Sequence, residues 1–408
     1  MTVAQRFSLL DQMAMLHRCL TQQLDLHQEL QRLGLTYDDL KYRISPSIVA
    51  ADSSPYLPLE HFNACSHGVP VVSFFAGAGG LDLGFTAAGF QHLAAIEINP
   101  LCCQTLRLNY PTWRIIGPPQ HSGDVRDRET IATLLQAIPG MTIPFAGVFV
   151  GGPPCQPFSV AANQRFSKQG LHFKRVGFAD QDYGNLLFDF VWYIEVFKPK
   201  VFLLENVAGL LKIDHGQQLS AALTHLVAAG YTITQPRVIN AADYGVPQNR
   251  SRLFIVGQRS SHTFSFPPAC SPPVSCGQVL QSPVQGLTNH VTRTHHAASI
   301  LRYMELAYGE RDQLGRVDRL HPHLPAKTVI SGGSTGGGRS HLHPFVPRTL
   351  SVRESARLQT FPDSFVFCGP SSRQFTQVGN AVPPLLAFHC ARAIYTQLYA
   401  SGDRSTCH

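Results

Sequence analysis

The sequence predicts an α/β fold, doubly wound around a mostly parallel sheet, from two features of its central part. Short apolar runs typical of buried strands alternate with helix-like segments, as expected of a parallel sheet covered by helices on both faces. These runs span residues 71–75, 93–96, 145–150, 201–204, 231–239 and 253–257. The first run leads into a glycine-rich loop and then a helix, an arrangement typical of nucleotide-like cofactor sites in such folds.

The composition indicates a protein with a large core and about two domains, because its 408 residues are 44% hydrophobic and 14% charged. No run approaches the roughly 18 uninterrupted apolar residues of a membrane span, and the N-terminus lacks a signal-peptide pattern, so neither a membrane span nor export is expected. Ten cysteines without paired spacing favour reduced thiols in the cytosol over a disulfide framework. The net charge of +7 is compatible with a polyanionic partner but does not require one.

Pattern and composition divide the chain into four predicted segments. They are an N-terminal helical extension and linker (1–66), a first domain with the strand–helix alternation (67–257), a second, smaller domain where prolines crowd and the alternation stops (258–372), and a C-terminal segment that returns to the first domain (373–408). The extension carries 7 acidic and 5 basic residues, a net charge of −2, which does not favour a DNA-binding arm.

One helix is predicted in the extension by apolar residues spaced three or four apart, namely Leu9, Met13, Leu16, Leu20 and Leu24. We expect this helix to pack on the main domain. A dimerising pair of helices is the alternative, but the heptad pattern does not persist for the three or four repeats that a coiled coil needs.

The most informative stretch is 151–159, with the sequence Gly-Gly-Pro-Pro-Cys-Gln-Pro-Phe-Ser. It follows a predicted strand, and its glycines and prolines end that strand in a tight loop. Cys155 lies at the apex of the loop, where a buried structural cysteine is not expected. Because the cysteine thiolate is a strong nucleophile near neutral pH, Cys155 is a candidate for covalent catalysis. For a bare Pro-Cys dipeptide, a turn with an incidental thiol would be the better interpretation.

The glycine-rich loop at 76–80 is the candidate cofactor site, because glycines let the backbone approach a ligand and the following helix offers free N–H groups. Glu97 lies 20 positions past Gly77, where a carboxylate binds ribose hydroxyls in such folds. Asp124, which follows Gly123, is in a position to meet an adenine amino group. Dehydrogenases share the first two features, so the spacing alone does not choose between cofactors.

Two later segments place charged residues at the ends of predicted strands. Glu205 follows the run 201–204 and so lies at the rim where parallel-sheet enzymes perform chemistry, with a helix-capping glutamate as the alternative. Gln248, Arg250 and Arg252 alternate along an extended segment and are therefore predicted to share one face. A solvated strand face would show the same alternation.

These stretches, in this order, resemble the cytosine-C5 DNA methyltransferases of bacterial restriction-modification systems. The resemblance covers residues 70–400 and rests on 151–159, the Glu-Asn-Val string at 205–207, the Gln-x-Arg-x-Arg block at 248–252 and Gln-Val-Gly-Asn-Ala-Val-Pro-Pro at 377–384. It implies a fold of the S-adenosylmethionine-dependent methyltransferase type. It also implies methyl transfer from S-adenosylmethionine to C5 of a cytosine flipped out of a specific duplex DNA sequence.

The resemblance also assigns roles to residues. It implies that the Cys155 thiolate adds to C6 of cytosine, that Glu205 supplies a proton at N3, and that Arg252, with Arg250 nearby, holds the base and stabilises its charge. The implied cofactor-binding residues are Phe75, Gly77, Gly79, Gly80, Glu97, Ile98, Asp124, Val125, Pro154, Leu186, Asn380 and Val382.

The second predicted domain resembles the target-recognition segment of the family, so the resemblance makes 258–372 a target-recognition domain and 67–257 a catalytic and cofactor-binding domain. Residues 258–348 carry 9 Lys and Arg against 4 Asp and Glu, a net charge of +5. The candidate DNA-binding residues are Gln248, Arg316, Arg319 and Arg339. Eight histidines in this stretch raise the question of zinc, but Cys270 and Cys276 have the wrong spacing and no metal is expected.

Two other functions use the same core, namely an RNA cytosine-C5 methyltransferase and a catalytically inactive DNA-binding relative. The long basic region and the block at 353–363 favour DNA over RNA. The presence of Cys155, Glu205 and Arg252 argues against an inactive relative. We therefore expect a monomeric bacterial enzyme of the cytoplasm, associated with the nucleoid, and a partner restriction endonuclease is compatible with this interpretation.

Overall fold

The structure is a computed structural model that describes residues 7–44, 54–154, 186–260, 263–269, 272–315, 317–331 and 341–400. The chain divides into two compact units. Unit 1 comprises Met1–Leu57, Gly245–Arg250 and Cys270–Asn380, and unit 2 comprises Pro58–Tyr244, Ser251–Ala269 and Ala381–His408. None of the helices in the described part of the chain combines the length and the hydropathy that a bilayer crossing requires.

The α-helices of the described residues are as follows, in chain order: α1 (Leu9–Thr21), α2 (Leu26–Arg32), α3 (Gly80–Ala87), α4 (Pro100–Asn109), α5 (Arg128–Gln136), α6 (Leu186–Phe197), α7 (Gln217–Ala228), α8 (Cys276–Leu280), α9 (Ala297–Met304), α10 (Val352–Leu358), α11 (Ser371–Asn380) and α12 (Pro384–Leu398). The strands are β1 (Pro70–Phe74), β2 (Gln91–Ile96), β3 (Ile115–Ile116), β4 (Val148–Gly151), β5 (Val201–Asn206), β6 (Thr232–Ile233), β7 (Arg237–Asn240), β8 (Ser251–Gln258), β9 (Asp318–Arg319) and β10 (His341–Leu342).

Unit 2 is built on an eight-stranded sheet with the order β3-β2-β1-β4-β5-β8-β6, in which β7 also pairs with β8. The five strands β3, β2, β1, β4 and β5 are parallel, whereas β8 runs antiparallel to β5, β6 and β7. The predicted α/β fold with a mostly parallel sheet is therefore confirmed. The strand order reverses between β1 and β4, and ligands of such sheets bind beyond the carboxyl ends of the strands at this switch point.

Two of the predicted runs differ from the observed strands. The run 231–239 is divided into β6 and β7, because Pro236 between them has no N–H to donate to a neighbouring strand. The run 145–150 becomes a strand only at Val148. Before it, the backbone of Phe145 bonds instead to Phe197 and Lys200.

Unit 1 contains the N-terminal helices α1 and α2 together with α8 to α11. Helix α1 is predicted to pack on the main domain, but in the structure its apolar face packs on α9 of unit 1. A capping box begins α10, because Ser351 Oγ accepts the Glu354 N–H and the Glu354 carboxylate accepts the Ser351 N–H. The new contact of α1 follows from long-range packing, which the periodicity of a helix does not specify.

In unit 2, helix α3 packs closely against α12, and Gly84 permits the close approach. A Cβ atom at position 84 would lie 2.4 Å from the Ala387 Cβ and 2.5 Å from both the Phe388 nitrogen and the Pro384 oxygen. Two of these atoms belong to the backbone, so they cannot move aside without shifting the helix.

We expect Gly84→Ala to lower the free energy of unfolding by roughly 1–3 kcal/mol, because the added methyl group overfills a packed interface. Urea or thermal unfolding measures the change. Ser220→Ala on the exposed side of α7 is the control and should stay within about 0.5 kcal/mol of the wild type. Equal stability of Gly84→Ala and the wild type would show that α3 and α12 do not pack this closely.

Candidate active site

The glycine-rich loop begins at Phe75, directly after β1, and its backbone adopts unusual conformations. Phe75 has a φ of 56°, a value that is uncommon outside glycine, and Gly77 and Gly79 have φ values of 56° and 80°. Helix α3 then begins at Gly80. A Cβ on Gly80 would lie 2.1 Å from the carbonyl oxygen of Val382, so the structure brings these two predicted cofactor residues together.

Glu97, just past the end of β2, holds the glycine-rich loop. Its buried carboxylate accepts hydrogen bonds of 2.6 Å from the N–H groups of both Gly77 and Asn99. Burial raises the pKa of Glu97, and the hydrogen bonds from these two N–H groups oppose the rise. The residue therefore ties the loop after β1 to the turn after β2.

A third segment reaches the same region through Gly123. A Cβ on Gly123 would lie 2.1 Å from the carbonyl oxygen of Glu97, so only glycine permits this approach. The next residue, Asp124, forms an ion pair with Arg126, which lowers the pKa of Asp124. Gly123, the residue before Asp124, therefore lies against the backbone of Glu97.

The other side of this segment packs on helix α6. The carbonyl of Val125 accepts a 2.9 Å hydrogen bond from the hydroxyl of Tyr193. Leu186, the first residue of α6, is buried in the same apolar core as Val125. The predicted cofactor residue Ile98, in contrast, is 53% exposed.

Sequence reasoning missed Asp82, which lies in the first turn of α3, directly after the glycine-rich loop. Its fully buried carboxylate lies 3.1 Å from the donating hydroxyl of Ser73 and 2.9 Å from Nε2 of His92. Asp82 thus joins the first turn of α3 to β1 and β2. The available signal was an acidic residue in the first turn of the helix that follows the glycine-rich loop. Such a residue usually indicates only a favourable interaction of its negative charge with the helix dipole.

The predicted catalytic residues Glu205 and Arg252 meet in unit 2. Arg252 Nε lies 3.1 Å from Glu205 Oε1, and both side chains are largely buried. A Cβ on Gly152 would lie 2.8 Å from Glu205 Oε2, so this glycine makes room for the carboxylate. Asn206 donates a 3.2 Å hydrogen bond to the carbonyl of Pro153. The carboxylate and the guanidinium therefore lie beside the loop that leads to position 155.

Cys155 itself lies outside the described residues, which resume at Leu186, and Pro154 is the last described residue before it.

Burial lowers the pKa of Arg252, and the carboxylate of Glu205 opposes this effect. The pair combines a positive charge and a carboxylate at the end of β5. Such a pair can hold a planar polar ring and stabilise negative charge that develops on it.

Gln248 and Arg250 belong to unit 1, whereas Arg252 belongs to unit 2. Strand β8 begins at Ser251, directly after Arg250. Arg250 is buried and donates to the carbonyls of Val329 and Gly379 at 3.0 and 2.7 Å. These contacts give Arg250 a packing role in unit 1.

Two of the predicted DNA-binding residues are buried. Gln248 is fully buried and bonds to the backbone of Leu358 and Val329. Arg319 is 1% exposed, and its guanidinium makes four hydrogen bonds, all of them to backbone carbonyl groups. Both side chains therefore stabilise unit 1, and in this conformation neither is accessible to DNA.

Two of the remaining predicted residues lie outside the described part of the chain, and two others flank the boundary between the units. Arg316 and Arg339 fall outside the described residues. Asn380, the last residue of α11, is exposed in unit 1, and Val382 is buried in unit 2. Within the described ranges, no three His, Cys, Asp or Glu side chains form a group that could hold a metal ion.

Comparison with known proteins identifies the family. The profile of the family described as C-5 cytosine-specific DNA methylase matches residues 69–296 and 278–396. The Type II methyltransferase M1.HphI of Haemophilus parahaemolyticus is 33% identical over 347 residues, which cover 79% of this chain and 86% of that protein. M.NgoFVII of Neisseria gonorrhoeae, also a Type II methyltransferase, is 32% identical over 362 residues, which cover 82% of this chain and 89% of that protein.

Solved structures agree with this result. The crystal structure of a prophage-encoded E. coli protein, described as a DNA modification methyltransferase, superposes with a TM-score of 0.66 at 25% identity and covers 81% of this chain and 99% of its own. The methyltransferase EhMeth of Entamoeba histolytica shares the fold, with a TM-score of 0.56 at 15% identity. Because the family profile spans most of the chain and relatives above 30% identity cover more than two thirds of it, the protein belongs to the C-5 cytosine-specific DNA methylases, as a DNA methyltransferase of the type II restriction-modification class.

Proposed function

We propose that this protein transfers a methyl group from S-adenosylmethionine to C5 of a flipped-out cytosine in a specific duplex DNA sequence, through a covalent bond between Cys155 and C6. The observation that carries this proposal is the ion pair between Glu205 and Arg252, which lies beside the loop that leads to Cys155. That pair supplies the charge stabilisation that addition of a thiolate to cytosine requires.

The region around the glycine-rich loop fits S-adenosylmethionine, which supplies an electrophilic methyl group when bound. The left-handed backbone of Gly77 and Gly79 lets a ligand approach the start of α3, and the N-terminus of a helix favours the binding of polar ligand groups. Glu97 is placed to accept hydrogen bonds from ribose hydroxyls, and Asp124 from an adenine amino group. In this proposal Phe75, Ile98, Val125, Pro154, Leu186, Asn380 and Val382 complete the site.

The proposed reaction begins with attack of the Cys155 thiolate on C6 of the cytosine. The π electrons of the C5–C6 bond form a C4–C5 double bond, and N3 takes a proton from Glu205 in its protonated form. The carboxylate that remains pairs with Arg252, which stabilises the charge. The resulting enamine is nucleophilic at C5 and attacks the methyl group, whose bond to sulfur breaks so that a neutral thioether leaves. A base then removes the C5 proton, N3 returns its proton to Glu205 and the C6–sulfur bond breaks, which restores the thiolate and releases 5-methylcytosine. Covalent catalysis thus replaces one difficult step by two easier ones.

We assign target recognition to residues 258–372, which lie mostly in unit 1 and are rich in basic residues. Because Gln248 and Arg319 are buried, the proposed DNA contacts pass to Arg316 and Arg339. The named relatives are Type II methyltransferases, so we also propose a restriction endonuclease of matching specificity as a functional partner.

We expect Cys155→Ser to abolish methylation of duplex DNA and to leave binding of S-adenosylmethionine intact, because a hydroxyl is a far weaker nucleophile at neutral pH. Transfer of a labelled methyl group to DNA measures the activity. Cys65→Ser, at an exposed free cysteine, is the matched control and should retain wild-type activity. Near-native methylation by Cys155→Ser would refute the covalent mechanism.

A second expectation of the covalent mechanism uses DNA that carries 5-fluorocytosine at the target. Fluorine cannot leave C5 as a cation, so the wild-type protein should remain attached to the DNA through Cys155 and survive denaturing electrophoresis. The Cys155→Ser protein should not. Wild-type protein that turns over on ordinary DNA but forms no such adduct would count against the scheme.

We expect Glu205→Gln to lower kcat by about 10²–10⁴-fold, because the amide cannot supply a proton at N3. The KM for S-adenosylmethionine should stay near its wild-type value. Glu195→Gln, an exchange of the same kind on α6, is the control and should leave kcat unchanged. A kcat within a factor of three of the wild type would remove Glu205 from the catalytic residues.

We expect Glu97→Ala and Asp124→Ala each to weaken binding of S-adenosylmethionine by roughly tenfold to a hundredfold, the loss expected for hydrogen bonds to a charged group. Isothermal calorimetry measures the affinity, and bisulfite sequencing shows whether the methylated site is unchanged. Glu129→Ala, at an exposed acid on α5, is the control. Unchanged affinity in both variants would exclude these carboxylates from the cofactor site.

A further inference from the structure

The N-terminal segment of residues 7–44 is built into the core of unit 1. Sixteen buried apolar residues form one cluster, and nine of them come from this segment. The other seven come from α9 and from positions 306, 317 and 342. The family profile begins only at residue 69, so the cluster joins a segment outside the family profile to a region inside it.

Polar contacts fix the register of this packing. Gln12 is fully buried, and its side chain bonds to the backbone N–H and carbonyl of Lys41 at 2.7 and 2.9 Å. The guanidinium of Arg319 lies between two aromatic rings, 3.4 Å from the centroid of Tyr42 and 4.2 Å from that of Tyr308. It also donates a 2.8 Å hydrogen bond to the carbonyl of Ile44. Arg319 therefore attaches the end of the segment to the basic region of the chain.

A buried charge network makes a second connection through Asp38. Arg348 is 1% exposed and lies between two carboxylates, 2.5 Å from Asp38 Oδ1 and 2.7 Å from Glu354 Oε1. His290 Nε2 lies 3.0 Å from the other oxygen of Asp38. Burial raises the pKa of Glu354, but Arg348 and His343 lower it to about 2. The carboxylates of Asp38 and Glu354 and the guanidinium of Arg348 are thus ionised at neutral pH and connect the N-terminal segment directly to α10.

From α10 the contacts continue to the block at 248–250. Gln359, just after α10, donates a 2.7 Å hydrogen bond to the carbonyl of Val378 and accepts one of 2.8 Å from Gln248. Gln248 in turn accepts the N–H of Val329 at 2.7 Å. All of these residues lie in unit 1. The position of α10 therefore sets the position of 326–331 and of the end of α11.

We propose that residues 7–44 are a working part of the target-recognition unit and that Asp38 is a positioning residue, acting through Arg348 and α10 on the segments that contact DNA. The inference rests on the proposed function, which assigns recognition to this unit. It also explains why a segment with a net negative charge sits in a basic unit. Its carboxylate orders an arginine in the interior and is not required to meet DNA.

The test compares Asp38→Asn with the wild type in the full-length chain. The target site is first mapped by bisulfite sequencing of DNA methylated by the wild-type protein, and a duplex that carries this site is the substrate. We expect the KM for the duplex to rise on the order of tenfold. The kcat and the KM for S-adenosylmethionine should change less than twofold, because unit 2 is untouched.

Glu305→Gln is the matched control. It breaks the ion pair of Glu305 with Arg43, which joins the same N-terminal segment to α9 but whose side chains are 48% and 51% exposed. Surface pairs of this kind contribute little, so all three kinetic constants should stay within twofold of the wild type. Asp38→Glu keeps the carboxylate and should recover most of the affinity for the duplex.

An unchanged KM for the duplex in folded Asp38→Asn would overturn the inference. A parallel rise of the KM for the duplex and the KM for S-adenosylmethionine, with a lower melting temperature, would also overturn it, because it would show a general loss of stability. Where Asp38→Asn does not fold, His290→Gln is measured, since it removes one partner of Asp38 and leaves Arg348 paired; the same split is expected, and the same two results overturn the inference. Absence of methylation by the wild-type protein would instead refute the proposed function.

Discussion

The antiparallel pairing of β8 with β5 is the constraint on which the candidate site depends. Its register places Phe254 opposite Glu205 and Leu253 opposite Asn206. Arg252 therefore reaches the carboxyl end of β5, where its guanidinium meets Glu205. Because β4 pairs with the other edge of β5, the loop after Gly151 ends beside the same carboxylate. One strand pairing thus brings together residues that are far apart in sequence.

The cofactor side of the site depends instead on the absence of side chains. Cβ atoms at Gly117 and Gly123 would both lie within 2.2 Å of the carbonyl oxygen of Glu97, and one at Gly80 would collide with Val382. Close packing of backbone segments thus leaves the turns after β1 and β2 in contact through the carboxylate of Glu97. This preorganised arrangement suits a ligand that is recognised by fixed hydrogen-bonding groups.

Buried ionic groups connect the segments of unit 1. Such groups favour one conformation over others more readily than they raise the free energy of unfolding. Burying Arg348 with two carboxylates carries a large desolvation cost, which the mutual attraction of the three groups offsets. Removing one partner would leave an uncompensated buried charge. A network of this kind therefore favours a single arrangement of the N-terminal segment on α10, as the proposed role of unit 1 in target recognition requires.

Local patterns in the sequence predicted the alternation of strands and helices and the glycine-rich loop, because each depends on residues a few positions apart. The motif order predicted the family and, with it, the meeting of Glu205 and Arg252. Burial was not predictable: Arg319 counts as a positive charge in the sequence, but two tyrosines and four carbonyl interactions enclose it. The partner of α1 and the burial of Arg250 depend on contacts between distant segments. Spacing along one chain does not encode such contacts, and only the packed structure decides them.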